Sequence, residues 1–255
     1  MTAPAALRPT GSPLRRFPAL VAYVPRACLP ARRLAVLALP CATILLSGLL
    51  SRALDDSAAR AFTDVAVLAI FGLAMPLGTL VIGDAVLGAE VRSGTLGFTW
   101  LTPVRFWELT LARWLGGWLI ALVTLVPSAA VAAVIAGAGS LIGPVVAATA
   151  AGAAAHIALF VLIGALTRRA AVWSLAIVFV VERLLGAVLS GIAQLSPTWQ
   201  GQAVFTGLGD VAGAPRRRGI PEGWEAVTRL GLITVVCLAL ATVGLRRLQL
   251  TGARD

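Results

Sequence analysis

Six long apolar runs, separated by shorter polar segments, set the pattern of this chain. At a rise of 1.5 Å per residue, most of the runs reach the roughly 30 Å thickness of a bilayer's hydrocarbon core, and the first and last need a few flanking residues. The pattern therefore predicts an all-α integral membrane protein with six transmembrane helices. The runs cover residues 34–50, 62–82, 114–136, 141–166, 171–192 and 230–245.

Composition supports the membrane assignment and narrows the chemistry. Hydrophobic residues make up 59% of the chain and charged residues only 13%, well below the roughly 25% charged residues of soluble domains. The 21 basic residues are all arginine, so no P-loop lysine can hold nucleotide phosphates. Any ATP must be hydrolysed by another chain. The arginines flank apolar runs instead of forming a face with interleaved aromatics, which excludes nucleic acid as a partner.

The runs divide the chain into three parts. Residues 1–33 form a basic N-terminal segment, cytoplasmic or at the membrane interface. Residues 34–250 form the six-helix transmembrane domain, with a long outer loop at 194–228, and residues 251–255 form a cytoplasmic tail. The first half of the outer loop is apolar enough to dip back into the membrane edge, where protein must shelter its backbone.

Arginine placement predicts the orientation, because basic residues near span ends are retained in the cytoplasm. With the N-terminus inside, the inner segments hold fourteen arginines and the outer segments six. Four of those six lie in the long outer loop, where the rule is weak. We therefore expect a multi-pass protein of the cell's inner or plasma membrane, with both termini cytoplasmic.

The N-terminal segment leaves two structures open. Its mixture of arginine with Phe17 and Tyr23 suits a helix in the inner headgroup layer. Pro18, Pro25 and Pro30 argue against one continuous helix, so a disordered basic arm attracted to anionic lipid is an equal alternative.

The cysteines and the single histidine indicate no metal site. Cys28, Cys41 and Cys237 are odd in number and lack metal-ligand spacing. His156 lies among alanines in the fourth run, where a hydrogen bond to a neighbouring helix is the expected role.

The densest polar stretch, residues 84–113, joins the second and third runs. It predicts a helix continuing from the second span, a break at 93–95, and a second amphipathic piece that starts at Thr102-Pro103 and enters the third span. A short cytoplasmic element continuous with two spans can act as a lever, since a partner docking on it would move both.

This stretch resembles the loop between the second and third spans in the membrane subunits of ABC-2 type ABC transporters. That loop usually reads as an acidic and basic cluster, Gly-Thr, a few apolar residues, Thr-Pro, and a basic residue before the next span. The matching residues here are Glu90, Arg92, Gly94, Thr95, Leu101, Thr102, Pro103 and Arg113. Six spans, inner termini and a long loop before the last span extend the resemblance over nearly the whole chain.

The resemblance implies a function. Glu90 to Thr95 would belong to an inner coupling helix seated in a groove of the ABC nucleotide-binding subunit, and Thr102 and Pro103 would complete the contact. The chain would bind no cofactor, with ATP and Mg²⁺ on that partner, and would pair with a second or homologous permease copy. We expect a permease subunit of an exporter, with no enzymatic site of its own.

Glu182 and Arg183 lie inside the fifth run, where a charge costs on the order of 2.5–3.5 kcal/mol on insertion scales. Adjacent helical residues point about 100° apart, so these two need not pair with each other. They mark either an intramembrane ion pair, which Asp64 or a partner subunit could complete, or part of a translocation path.

Two further functions stay open. A membrane-embedded enzyme for lipid-linked substrates could use Asp64, Asp84, Glu182 or His156 as acid and base, although these groups are not clustered in the sequence. A non-transporting membrane scaffold is the other.

Overall fold

The computed structural model describes residues 13–28, 31–54, 57–93, 105–211, 214 and 219–251, and these residues form helices and short connections without strands. Six of the helices described are long and apolar enough to cross a membrane. The six predicted spans are therefore confirmed, as is the all-α class. The spans are Ala35–Leu54, Ala58–Val91, Phe106–Ile135, Gly139–Leu166, Ala170–Val188 and Trp224–Arg247.

We number the helices in chain order. They are α1 (Pro13–Cys28), α2 (Ala31–Leu54), α3 (58–93), α4 (Phe106–Ile135), α5 (Gly139–Leu166), α6 (Ala170–Val188), α7 (Ser190–Leu195), α8 (Pro197–Gly209) and α9 (Trp224–Thr251). Ser93 at the end of α3, Arg105 before α4 and the connection Thr167–Arg169 share one end of the bundle with Arg246 and Arg247 of α9. We call this the arginine-rich end and the other the opposite end.

The helix predicted to continue from the second span is observed through Ser93. One helix boundary differs from the sequence prediction. The fifth span was predicted to reach residue 192 but ends at Val188. Leu189 adopts an extended backbone (φ −102°, ψ 111°), and the chain turns there into α7.

Helix α5 is the centre of the bundle, with contacts to α3, α4, α8 and α9. Of the six spans, α5 is the most buried, with 67% of the residues in its most apolar stretch inside the protein. Ala148, Ala153 and Ala155 are fully buried. Small residues let helix backbones approach closely where lipid supplies no hydrophobic drive, so the alanine-rich sequence of α5 suits this central position.

Two tryptophans join α4 to α5. The indole N–H of Trp114 donates to the Ala154 carbonyl at 2.9 Å, and that of Trp118 donates to the Ala150 carbonyl at 3.0 Å. Their rings stack in parallel, with centroids 5.7 Å apart.

Within the N-terminal segment, residues 13–28 form one helix, α1, although Pro18 and Pro25 lie inside it. Each proline removes a backbone donor, and α1 packs against α4. Val24 is fully buried and lies so close to Gly116 that a Cβ there would approach the Val24 Cβ to 2.6 Å. Over residues 13–28 the helix is the alternative found, and Pro30 lies outside the described residues.

After α6 ends at Val188 the chain folds back, and helix α8 runs from the middle of the bundle to the opposite end, so we call it the re-entrant helix. Its first residues face His156 of α5, and its last residue, Gly209, lies beside Leu141. His156 is fourteen residues beyond Ile142, or about 21 Å along α5. The re-entrant helix is buried along nearly its whole length, so protein shelters its backbone.

Three stretches of the long helices have π-helical geometry: Val67–Ala74 and Asp84–Gly88 in α3, and Ile177–Leu185 in α6. The first ends just before Met75-Pro76, where the proline contributes no backbone donor. Wide helical turns of this kind often occur at functional sites.

Candidate functional site

The ends of α3 and α4 are joined at the arginine-rich end by an ion pair. Arg113 Nη2 donates to Glu90 Oε2 at 2.7 Å, and the two side chains are 6% and 19% exposed. Glu90 lies three residues before the end of α3, and Arg113 lies in the second turn of α4. The pair therefore clamps the two helices on either side of the segment 94–104.

Arg113 also contacts the N-terminal helix. Its guanidinium carbon lies 5.5 Å from the centre of the Tyr23 ring in α1, within range of a cation–π interaction. Helix α1 packs along α4, with Val24 seated against Gly116. Three helices thus meet around one arginine.

The other residues predicted for coupling are described only in part. Arg92 lies in the last turn of α3, in Ala89–Ser93, with its side chain outside the described residues. Gly94, Thr95, Thr102 and Pro103 also lie outside them. The structure thus brings together Glu90 and Arg113 of the eight residues that carry the family resemblance.

A second polar cluster lies in the middle of the bundle, where the re-entrant helix begins. Glu182 Oε2 accepts the hydroxyl of Ser196 at 2.7 Å and the backbone N–H of Thr198 at 3.1 Å. Ser196 is the N-cap, and its oxygen accepts the backbone N–H of Trp199 at 3.4 Å. The carboxylate therefore faces the N-terminus of α8, where unpaired N–H groups and the helix dipole favour a negative charge.

His156 completes this cluster from α5. Its Nδ1 lies 2.9 Å from the Gly152 carbonyl, which can only accept, so Nδ1 carries the proton. Its Nε2 lies 3.3 Å from the Thr198 hydroxyl and 3.7 Å from Glu182 Oε2. His156 thus makes the contact to a neighbouring element that its sequence context indicated.

The cluster holds the re-entrant helix in place. The Trp199 indole donates to the Glu182 carbonyl at 2.8 Å, and Gln202 Nε2 donates to the Val67 carbonyl of α3 at 3.1 Å. Glu182 itself is 2% exposed, and its second oxygen, Oε1, has no hydrogen-bond partner among the described residues. A carboxylate buried in this way is stabilised through one oxygen only.

Arg183 points away from Glu182, towards α3. Its guanidinium lies against Gly72, so closely that a Cβ built at position 72 would be 2.5 Å from Nη1. The side chain is partly exposed, and within the described part of the chain it forms no ion pair. The fifth span therefore directs one charge into the bundle and the other to its surface.

Asp64 lies apart from both charges. It is exposed on α3, six residues from Ala58 at the opposite end of the bundle. The described residues show no ion pair between Asp64 and Arg183, and the titratable side chain that Glu182 faces is His156, at 3.7 Å. Of the three residues predicted to share an intramembrane site, the structure brings no two side chains into an ion pair.

Sequence reasoning missed the partners of Glu182, although one signal for them exists. Ser196-Pro197 is an N-cap serine followed by proline at the first helical position, which predicts a helix start at Pro197. An acidic side chain close to such a start is favourable. That pairing, across fourteen residues that include the end of α6 and all of α7, required the fold, since no local spacing sets it.

No group of three or more His, Cys, Asp or Glu side chains that could hold a metal ion occurs among the residues described. The chain matches no protein-family model, and no characterised protein matches it in sequence.

Proposed function

We propose that this chain is the membrane-spanning subunit of an ABC-2 type exporter, powered by ATP that a separate nucleotide-binding subunit hydrolyses with Mg²⁺. The observation that carries the proposal is the Glu90–Arg113 ion pair at the arginine-rich end, 2.7 Å long and largely buried. It supports a mechanical role for the segment between the second and third spans.

The ion pair makes the two spans move as one body. A force applied to residues 94–104 reaches α3 and α4 at residues flanking the segment, and the ion pair lies in the last turn of α3 and the second turn of α4. Breaking a buried pair by removing one partner costs about 3–5 kcal/mol, so the clamp would hold against modest forces. The contact with Tyr23 would carry the same displacement into α1.

The opposite end of the bundle offers an element that such a displacement could move. Helix α3 contacts the re-entrant helix through Gln202 and Val67, and Phe205 packs against Phe62 and Phe71 of α3. A shift of α3 would therefore bear on the re-entrant helix, which separates the middle of the bundle from the opposite end. In this proposal the two ends are the motor side and the release side of one transporter.

The partners follow from this arrangement. The arginine-rich end faces the cytoplasm, because basic residues near span ends are retained there. The nucleotide-binding subunit binds residues 90–103 on that side, and a second permease copy completes the pathway across the inner or plasma membrane. Glu182 and Asp64 then have different tasks, one positioning the re-entrant helix and the other facing water.

The test compares two glutamates in the assembled complex. The full chain is co-expressed with candidate P-loop ATPase subunits, and ATP hydrolysis and transport are measured for the wild type, Glu90→Gln and Glu225→Gln. Glu225→Gln is the matched control, because it breaks an exposed Glu–Arg pair with Arg229, of 3.8 Å, at the opposite end.

We expect Glu90→Gln to lower permease-dependent ATP hydrolysis and transport about tenfold, as loss of a charged hydrogen bond of about 1.5–3 kcal/mol allows. The complex should still be isolated intact, and Glu225→Gln should behave as the wild type. The proposal is wrong if ATP hydrolysis is unchanged in Glu90→Gln. It is also wrong if no ATPase subunit binds the wild-type chain.

A further inference from the structure

Arg183 is a cation inside a membrane span, and no carboxylate among the described residues pairs with it. It lies thirteen residues, or about 20 Å, from Ala170 and five residues, or about 8 Å, from Val188. Among the described residues it makes no hydrogen bond and no ion pair. Because an isolated charge in hydrocarbon is costly, an arginine kept at this depth needs an anion from outside the described contacts.

The guanidinium is held in a defined place. It lies against Gly72, and any larger residue there would put a Cβ 2.5 Å from Nη1 and 2.9 Å from Cζ. Both residues belong to π-helical segments, Val67–Ala74 and Ile177–Leu185, which face each other at this contact. A side chain held in a glycine notch does not extend freely to the membrane surface as a snorkelling arginine would.

The surroundings of the notch are apolar and exposed. Phe179, Val180 and Leu184 of α6 and Leu68 and Leu73 of α3 are 37–64% exposed. They lie within about a turn of Arg183 and Gly72 along their helices. An anion arriving here must be carried by a molecule that is also compatible with hydrocarbon.

We propose that Arg183, seated on Gly72, binds the phosphate or carboxylate of an anionic amphiphile whose chains lie against α3 and α6. The planar guanidinium presents paired N–H donors that match the oxygens of such a headgroup. The site lies about 8 Å from Val188, where α6 ends, and fourteen residues, or about 21 Å, along α3 from Ala58, so the headgroup reaches it by entering the bundle between α3 and α6. This inference does not depend on the proposed transport function.

Native mass spectrometry of the purified full chain tests the site. Dioleoyl phosphatidylglycerol and dioleoyl phosphatidylcholine, which share their acyl chains, are compared as ligands, and inorganic phosphate is added as a competitor. We expect one tightly held phosphatidylglycerol per chain, preferred at least about tenfold over phosphatidylcholine, as a charge-assisted hydrogen bond allows. Millimolar phosphate should not displace it.

Three variants locate the binding. Arg183→Gln should weaken phosphatidylglycerol binding at least about tenfold, and Gly72→Ala should weaken it severalfold because the new methyl displaces the guanidinium. Gly72→Ala keeps every charge, and the displaced group is the flexible end of a side chain, so the variant remains informative if Arg183→Gln fails to fold. Arg60→Gln, an exposed arginine towards the opposite end of α3, should bind as the wild type.

Several results would overturn the proposal. If the wild type retains the two lipids equally, the site does not select an anionic headgroup. Displacement by inorganic phosphate would indicate a soluble anion as the ligand. If both Arg183→Gln and Gly72→Ala bind phosphatidylglycerol as the wild type does, the arginine has another partner. The same follows if Arg183→Gln loses self-association without a change in lipid binding.

Discussion

Glu182 of the fifth span and Ser196 of the following loop are joined by a hydrogen bond of 2.7 Å in the middle of the bundle. The same carboxylate oxygen accepts the backbone N–H of Thr198, so a charge inside a span caps a helix that enters from outside it. The energetic cost of burying Glu182 is offset by the N-terminus of the re-entrant helix.

Glu182→Gln should destabilise the re-entrant helix more than the rest of the bundle. The amide keeps the shape but removes the charge that faces the helix N-terminus, a loss of about 1.5–3 kcal/mol. Hydrogen exchange of residues 197–209 should speed up, and the thermal midpoint of the detergent-solubilised chain should fall. Glu225→Gln, with an exposed carboxylate, is the control. Equal exchange in both variants would show that Glu182 does not hold this helix.

Gly48→Ala should push the first and third spans apart. A Cβ at Gly48 would collide with the backbone carbonyl of Ala132, which cannot move as a side chain can. Overpacking of this kind costs about 1–3 kcal/mol. Gly231→Ala, where nothing lies within 4 Å of the new methyl, should leave thermal stability unchanged or slightly higher. A Gly48→Ala protein as stable as the Gly231→Ala control would contradict the close contact.

Trp118→Phe should weaken the contact between α4 and α5. It removes the indole donor to the Ala150 carbonyl and keeps an aromatic ring, a loss of about 0.5–1.5 kcal/mol. The measurement is the thermal midpoint in detergent, with Trp173→Phe as control because Trp173 is 56% exposed. If the two variants have the same thermal midpoint, the hydrogen bond does not contribute to stability.

Thiol labelling tests the orientation. In a chain whose three cysteines are replaced by serine, we expect Thr95→Cys to react with an impermeant maleimide only after the cells are opened, because the arginine-rich end is cytoplasmic. Ser57→Cys, at the opposite end, should react in intact cells. Labelling of Thr95→Cys in intact cells would place the coupling segment on the wrong side for an ATPase.

The sequence predicted the six spans because hydrophobic length is a local property that survives any arrangement of the helices. The helix across Pro18 and Pro25 was not foreseen as the better alternative. Its stability depends on Val24 packing against Gly116, a contact between distant parts of the chain.

For the charged residues of the fifth span, the sequence likewise predicted one property and not another. Their position alone indicated the energetic cost of a charge inside the membrane, but it did not identify their partners. Glu182 faces Ser196 and Thr198 because the loop folds back into the bundle, and Arg183 lies on Gly72 because α3 passes beside α6. Glu90 and Arg113 were both recognised as motif residues, but their ion pair became visible only with the helices in place.

The most direct measurement is a charge exchange between Glu90 and Arg113 in the complex with the ATPase subunit. Glu90→Arg and Arg113→Glu each place like charges at the clamp, so each alone should abolish permease-dependent ATP hydrolysis and transport. The double variant restores an opposite-charge pair, and we expect it to recover a substantial part of both activities. If the double variant recovers neither ATP hydrolysis nor transport relative to the single variants, the ion pair does not couple the two spans to the motor. The same conclusion follows if either single variant has wild-type activity.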